Sequence, residues 1–250
     1  MKITVAGTPS ALGQAAASFV AGKLREVIEK KGAARLLLST GASQFDTISA
    51  LIGEDIEWGK VTMFHLDEYV GLPEAHPASF RKYLKERFVS KVDLKEVFFV
   101  DGSEENRKAL CEEIRRAPID IGLIGIGENA HIAFNDPPAD FETEEPYIVV
   151  ALSDTCKAQQ VGEGWFPALD DVPKYAVSMS VKQIMKCDCV VSCVPHKVKA
   201  KAIRDMLTHD LTNTVPATML KLHGDFHLYL EKNSASLIDG EIAGKFGIRM

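Results

Sequence analysis

Between Ile119 and Ile126 the chain reads IDIGLIGI, an apolar run that closes in a Gly-x-Gly. A compact polar segment follows, with Glu128, Asn129, His131, Asn135 and Asp136, and Pro137 and Pro138 end it. Short apolar runs cut off by glycine read as buried strands of a parallel sheet. The same pattern recurs along the chain. Strands are expected at residues 2–6, 36–38, 61–66, 97–100, 190–194 and 226–230, and in YIVVALSD and VPKYAVSMS. Between them lie helical patterns. The first, Ser10 to Lys31, puts Ala11, Ala15, Phe19, Leu24, Val27 and Ile28 on one face and stops at Gly32. Others run from Ser43 to Leu51, Phe80 to Phe88, Glu104 to Arg116 and His196 to Leu207, with a short one from Pro216 to Leu220. The stretch from Lys157 to Pro167 carries no clear pattern. Strands alternating with helices imply an α/β fold, an open and mostly parallel sheet with helices on both faces. No repeat or low-complexity linker divides the 250 residues, so a single domain is expected.

Composition narrows the function classes. The apolar fraction is 46% and the charged fraction 26%, as in a soluble globular protein. The net charge is -6 and no Lys/Arg run is long, which argues against general nucleic-acid binding. A local basic pocket on an acidic surface still leaves phosphate binding open. The start, MKITVAGTPSALGQ, is too short in apolar residues for a signal-peptide core, and nothing approaches a spanning helix. A cytoplasmic protein without membrane segments is expected. The five cysteines, Cys111, Cys156, Cys187, Cys189 and Cys193, are an odd number and suggest no disulfide framework. Cys187, Cys189 and Cys193 alternate, which on a strand would put them on one face. No C-x-x-C pair or nearby His pair completes a zinc set, so they read as reduced thiols packed in the core.

Three strand ends carry chemistry. Ser39-Thr40-Gly41-Ala42-Ser43-Gln44 is a small-residue turn into a helix, where backbone N–H groups and the helix dipole favour an anion. An ordinary strand–helix turn capped by Ser43 accounts for it equally well. Asp67-Glu68 directly follows a buried strand, and a half-sunk carboxylate there has the tunable pKa that a general base requires. The third is the opening stretch. Gly125 to Ala130 matches G-x-G-x-x-A, yet Pro137 and Pro138 cut in where a dinucleotide site needs a long helix. The other readings are a catalytic loop, in which His131 exchanges protons near neutral pH and Asp136 orients it, and a buried histidine satisfied by its neighbours, which is the commoner outcome for a histidine taken singly. Lys197, at the start of a helix, could direct an ammonium at a phosphate, and an ordinary surface lysine accounts for it as well.

Together these segments resemble the glucosamine-6-phosphate deaminase/isomerase family, grouped with the 6-phosphogluconolactonases. STGAS looks like that family's phosphate loop. HLDEYVGLPEAHPASF is close to its LDEYVGLP…HP.S(Y/F) segment. GIGENAHIAFNDPP resembles GxGxDGHIAFNEP, and VPKYAVSMS resembles VPKYALT(V/M)G. Lactonases instead carry a DER…VP segment and a DGHTASLFP loop, which this chain lacks. The resemblance implies a Rossmann-like fold of the deaminase/isomerase type. It also implies deaminating aldose–ketose isomerisation of glucosamine 6-phosphate, or a close amino-sugar phosphate, to fructose 6-phosphate and ammonia. It makes Asp67 the base that moves a proton between carbon 2 and carbon 1, His131 the ring-opening residue and Asp136 its support. Thr40, Gly41, Ala42, Ser43, Glu68 and Lys197 become substrate-binding residues. No metal or organic cofactor is required, because the substrate's own carbonyl is the electron sink. The partner is a small sugar phosphate, and a homo-oligomer is compatible with the pattern.

The chain departs from that pattern at Asn129, where the family has an acid, and at Ala130, where it has glycine. Asp136 is one methylene shorter than the family's Glu. No arginine falls in SDTCKAQQVGEGWF, where the family has a phosphate-binding one, which leaves Lys157 as its candidate substitute. A 6-phosphogluconolactonase-type hydrolase and a non-catalytic sugar-phosphate sensor are the alternatives these departures keep open.

Overall fold

A computed structural model describes residues 1–248. The chain runs β1 (Lys2–Ala6), α1 (Pro9–Lys31), β2 (Ala34–Leu38), α2 (Phe45–Ile52), β3 (Val61–His65), β4 (Asp67–Tyr69), α3 (Phe80–Arg87), β5 (Glu96–Phe98) and α4 (Glu104–Ile114). It continues with β6 (Ile121–Leu123), β7 (Tyr147–Ala151), α5 (Asp154–Gly162), β8 (Tyr175–Met179), α6 (Val181–Ile184), β9 (Cys189–Val194), α7 (Ala200–Thr208), β10 (Phe226–Glu231) and α8 (Gly240–Phe246). Seven strands form one parallel sheet in the order β1-β10-β9-β6-β2-β3-β5. From β2 the chain builds outward through β3 to β5. It then returns to the other side of β2 with β6 and builds outward again through β9 and β10. The reversal between β2 and β6 opens a crevice at their carboxyl ends.

Successive residues of each strand face opposite layers. Leu36 and Leu38 join the core under α1, α2 and α3, whereas Leu37 joins the core under α4, α6, α7 and α8. This is the two-sided burial that the unbroken apolar strands predict. The buried stripe of α1 is Leu12, Ala16, Val20, Leu24 and Ile28, and Ala11 and Ala15 face solvent. The helix is therefore rotated by about one residue from the expected face, because alanines carry too little area to fix its phase. Cys189 and Cys193 lie on the α1 side, but Cys187 packs on the opposite side. It precedes β9, so strand alternation does not apply to it. All five cysteines are buried and free.

The sequence pattern gave no sign of a second sheet. β4, β8 and β7 form a three-stranded antiparallel unit at the carboxyl end of the main sheet. Leu66 joins the two: its N–H donates to Leu38 O at 3.1 Å, and its carbonyl accepts from Met179 N at 3.0 Å. Asp67-Glu68-Tyr69 is thus a buried strand rather than a loop. Lys157 lies in α5, within the stretch that showed no clear pattern, and α8 was also not anticipated.

Helices α1 and α2 meet at Gly13, where an added Cβ would lie 2.7 Å from the Asp46 carbonyl carbon and 2.8 Å from Thr47 N. Gly13→Ala should destabilise the fold by about 1–3 kcal/mol, outweighing alanine's better helix propensity. Urea unfolding measures it, and an unchanged or raised midpoint would contradict this contact.

Candidate active site

The crevice is a cleft of about 630 Å³, ample for a hexose phosphate. One wall is the turn after β2. Gly41 adopts φ 100, a conformation only glycine takes without strain, and a 3-10 turn over Ala42–Gln44 leads into α2. Ser43 lies inside that turn, so it does not cap α2. Gln44 ties the turn down, its Nε2 donating to Ser43 Oγ at 3.0 Å and to Cys193 O at 3.2 Å. Tyr83 OH donates to Gly41 O at 3.1 Å. Thr40 to Ser43 all line the cleft. Beside them Ser39 Oγ is buried without a hydrogen-bond partner among the described residues, a hydroxyl free for a ligand.

The second wall is the loop after β6. Ala130 and Ala133 hold positive φ of 65° and 50°, which folds the segment tightly enough to turn His131 inward. The His131 ring lies flat over Gly127, where any Cβ would overlap it. Its Nδ1 is 2.6 Å from Asn129 Oδ1 and 3.2 Å from Asp136 Oδ1. Asn129 Nδ2 donates to the same Asp136 oxygen at 3.1 Å, and Ser153 Oγ donates to Asp136 Oδ2 at 2.7 Å. Facing two oxygen acceptors, Nδ1 carries the proton, which leaves the Nε2 lone pair as the proton acceptor. Burial works against the charge of Asp136, but the hydrogen bonds from His131, Asn129 and Ser153 prevail and bring its pKa down to about 2. An anion is therefore in place for an imidazolium, although residue 129 is an amide. The loop is strapped to β8, with Phe134 N donating to Ser178 Oγ at 3.0 Å and Asn135 Nδ2 to Met179 O at 2.8 Å.

Asp67, the first residue of β4, enters the cleft between these walls. No hydrogen bond reaches its carboxylate among the described residues. Burial, helped by the neighbouring Glu68 carboxylate, pushes its pKa up to about 8. Glu68 itself does not line the cleft. It is fully buried and accepts from Tyr69 N, Ser79 Oγ, Phe80 N and Arg81 N, anchoring the start of α3. Adjacent strand residues point to opposite sides, so only one of the two acids could face the crevice.

Lys197 is exposed and lies outside the cleft lining, whereas Lys199, two residues on, is buried and lines it. The intervening 3-10 turn, Lys197–Lys199, rotates the second lysine inward. Burial lowers the Lys199 pKa against the opposing pull of Glu163 and Glu128, and no hydrogen bond or ion pair engages its ammonium among the described residues. Lys157 lies 3.7 Å from Asp154 and is not part of the lining, nor is any arginine. His196, also unanticipated, lines the cleft with φ 78 and ψ 139, held by its N–H donating to buried Glu231 Oε1 at 3.0 Å. Such a backbone costs about 1–3 kcal/mol and concentrates at functional sites. In the sequence, Lys199 opens the pattern K-A-K-A-I of an amphipathic helix, a signal that separates it from its neighbour Lys197. Helix α5 and the residues after it supply Gln159, Glu163 and Trp165 as the cover of the cleft.

A turn of small residues, a buried carboxylate and a carboxylate-supported imidazole meet at the switch point of a parallel sheet, where α/β enzymes bind their ligands. The model of the family described as glucosamine-6-phosphate isomerases/6-phosphogluconolactonase matches residues 7–228, and the chain belongs to that family. It is 32% identical to glucosamine-6-phosphate deaminase 1 of Bacillus subtilis, over 95% of this chain and 99% of that one. Identity to glucosamine-6-phosphate deaminase of Lactobacillus delbrueckii subsp. bulgaricus is 31%, over 95% of this chain and all of the relative. A solved monomeric glucosamine-6-phosphate deaminase superposes with a TM-score of 0.85 at 30% identity, covering 95% of this chain and 100% of that one. The 6-phosphogluconolactonase of Thermotoga maritima shares the fold, with a TM-score of 0.77 at 16% identity over 92% of this chain and 99% of that one. No helix among the described residues is long and apolar enough to cross a membrane.

The raised pKa of Asp67 has a consequence for stability. Between its ordinary value of 3.8 and about 8 the unfolded chain has lost this proton and the folded chain has kept it. That contribution is fully present below pH 3.8 and is lost as pH rises through about 8. Asp67→Asn should remove the loss and be more stable than wild type at pH 8, by an amount on the order of a few kcal/mol. Denaturant titrations at pH 5 and 8 check this, and a gap that does not grow with pH would contradict it.

Proposed function

We propose that the protein is a deaminating aldose–ketose isomerase that converts glucosamine 6-phosphate, or a close amino-sugar phosphate, to fructose 6-phosphate and ammonia. The observation that carries this reading is the divergence of two carboxylates in one site. Asp67 is pushed up to about 8 and Asp136 down to about 2. The first is suited to take and return a carbon-bound proton, the second to hold a permanent charge behind His131. A lactone hydrolysis needs an activated water but no such enolising base. Full-length identity above 30% to proteins named glucosamine-6-phosphate deaminase supports the same substrate.

In this mechanism the phosphate binds to the amides and hydroxyls of Ser39 to Ser43 and to the ammonium of Lys199. His131 Nε2 takes the proton of the anomeric hydroxyl as the bond between carbon 1 and the ring oxygen breaks, and returns it to that oxygen. Nδ1–H stays on Asn129 and Asp136 throughout, so the imidazolium is transient and paired. The Asp67 carboxylate removes the carbon 2 proton to give an enolamine and delivers it to carbon 1, leaving an imine at carbon 2. Water adds there and ammonia departs, so the net reaction consumes one water. The reaction needs no redox change. We infer a single catalytic unit spanning the chain, working in the cytoplasm, in keeping with five free buried cysteines.

Purified protein should release equimolar ammonia and fructose 6-phosphate. Asp67→Asn should lower kcat by about 10²–10⁴-fold. Lys199→Met should raise KM by about 10–100-fold, as expected for a lost charge-assisted bond, and Lys197→Gln should change it little. Hydrolysis of 6-phosphogluconolactone without ammonia release from any hexosamine phosphate would overturn the reading. Because the base must be ionised, kcat/KM should climb as pH approaches about 8. A profile flat from about pH 5 to 9 would remove Asp67 from that role.

A further inference from the structure

At the amino ends of β9 and β10, opposite the cleft, a second group of reactive side chains converges. The register pairs Phe226 with Val190 and His227 with Val191, which sets Cys189 beside Asp225. Asp225 and His227 are two residues apart and so share a face, the same face that carries Cys189. One ligand atom from each of Cys189, Asp225 and His227 lies within 4.8 Å of the other two. Cys189 and His227 are buried and Asp225 is 35% exposed in its side chain, so the group has a sheltered floor and an opening to solvent. His227 Nε2 is 2.8 Å from Asp225 Oδ1, and the imidazole ring lies 4.0 Å from the Phe19 ring, which fixes its plane.

We propose that Cys189, Asp225 and His227 form a binding site for a divalent zinc-like cation, with water as the fourth ligand. A thiolate, an imidazole and a carboxylate at tetrahedral reach are the donor types such an ion takes. In the sequence, Cys189 has no ligand partner within reach. The parallel register supplies two from a strand 36 residues further on.

The resting state is already poised around a positive charge. Lys23, from α1, places its ammonium 3.2 Å from Asp225 Oδ2, and its side chain is 33% exposed. It neutralises the carboxylate and can swing into solvent when a cation replaces it. A cysteine ligates as its thiolate, so binding must expel the Cys189 proton. The balance is one cation bound through sulfur, nitrogen and oxygen, one thiol proton released and Lys23 still protonated outside. β9 spans six residues from Cys189 to Val194, and its five steps place the site roughly 17 Å from the cleft. The ion would therefore brace two central strands and take no part in turnover, and its existence does not depend on the reaction proposed above.

The test is titration of the chelator-stripped full chain with cobalt(II), followed by displacement with zinc(II). A thiolate-to-cobalt absorption band saturating at one equivalent, with one proton released by calorimetry, is expected. Cys189→Ser should abolish the band, and His227→Gln should weaken zinc binding by at least about tenfold. Lys23→Gln, a change at the surface, should tighten binding because it removes the competing ammonium. A structural ion pair alone predicts no such gain. No band, a band that survives Cys189→Ser, or an affinity unchanged by Lys23→Gln would each overturn the site.

Discussion

The molecule depends on what happens at Leu66. Its two backbone hydrogen bonds, to Leu38 in the main sheet and from Met179 in the small one, carry the chain from a parallel sheet into an antiparallel one without a loop. That continuity delivers Asp67 to the crevice on a strand rather than on a mobile connection. It also sets the small sheet across the carboxyl ends of the large one, where β8 holds the loop containing His131 through Ser178 and Met179. Asp67 and His131 are thus both positioned by the same junction, and their separation is fixed by hydrogen-bonded backbone.

Within that frame, solvation decides the chemistry. Asp67 and Asp136 are the same residue type in the same site, the first buried and the second half-buried. Asp136 receives three side-chain donors and stays charged. Asp67 receives none and sits beside another acid, so its proton is held until near neutral or alkaline pH. Asn129 fits this arrangement. Its amide oxygen takes the His131 proton and its amide nitrogen serves Asp136, so one residue orients both members without adding charge. Ser153 connects the pair to the cleft cover, since the hydroxyl that donates to Asp136 also accepts from Cys156 N as the cap of α5.

Much of this was legible from residue patterns. The alternation of apolar runs and helices predicted the parallel sheet, and glycines and prolines located the turns that carry function. Asp67, His131 and Asp136 were all selected from their places at strand ends, and all converge. The structure leaves Lys197 outside the cleft and brings in Lys199, because a 3-10 turn ahead of α7 changes the angular step between neighbours. Glu68 parts from Asp67 because adjacent strand residues face opposite sides, which the dipeptide alone does not reveal. The small sheet was missed because its strands are individually ordinary and only their pairing distinguishes them.

The sequence alone determined the strands of the main sheet, and which acids, histidine and small residues stand where those strands stop. These are local properties, set by hydrophobic period and backbone preference. Only the tertiary structure decided which of those groups meet, which are stripped of water and which find hydrogen-bond donors. Burial and partnership come from segments far apart in the chain. They raise the pKa of Asp67 and lower that of Asp136, and they bring Asp225 and His227 beside Cys189.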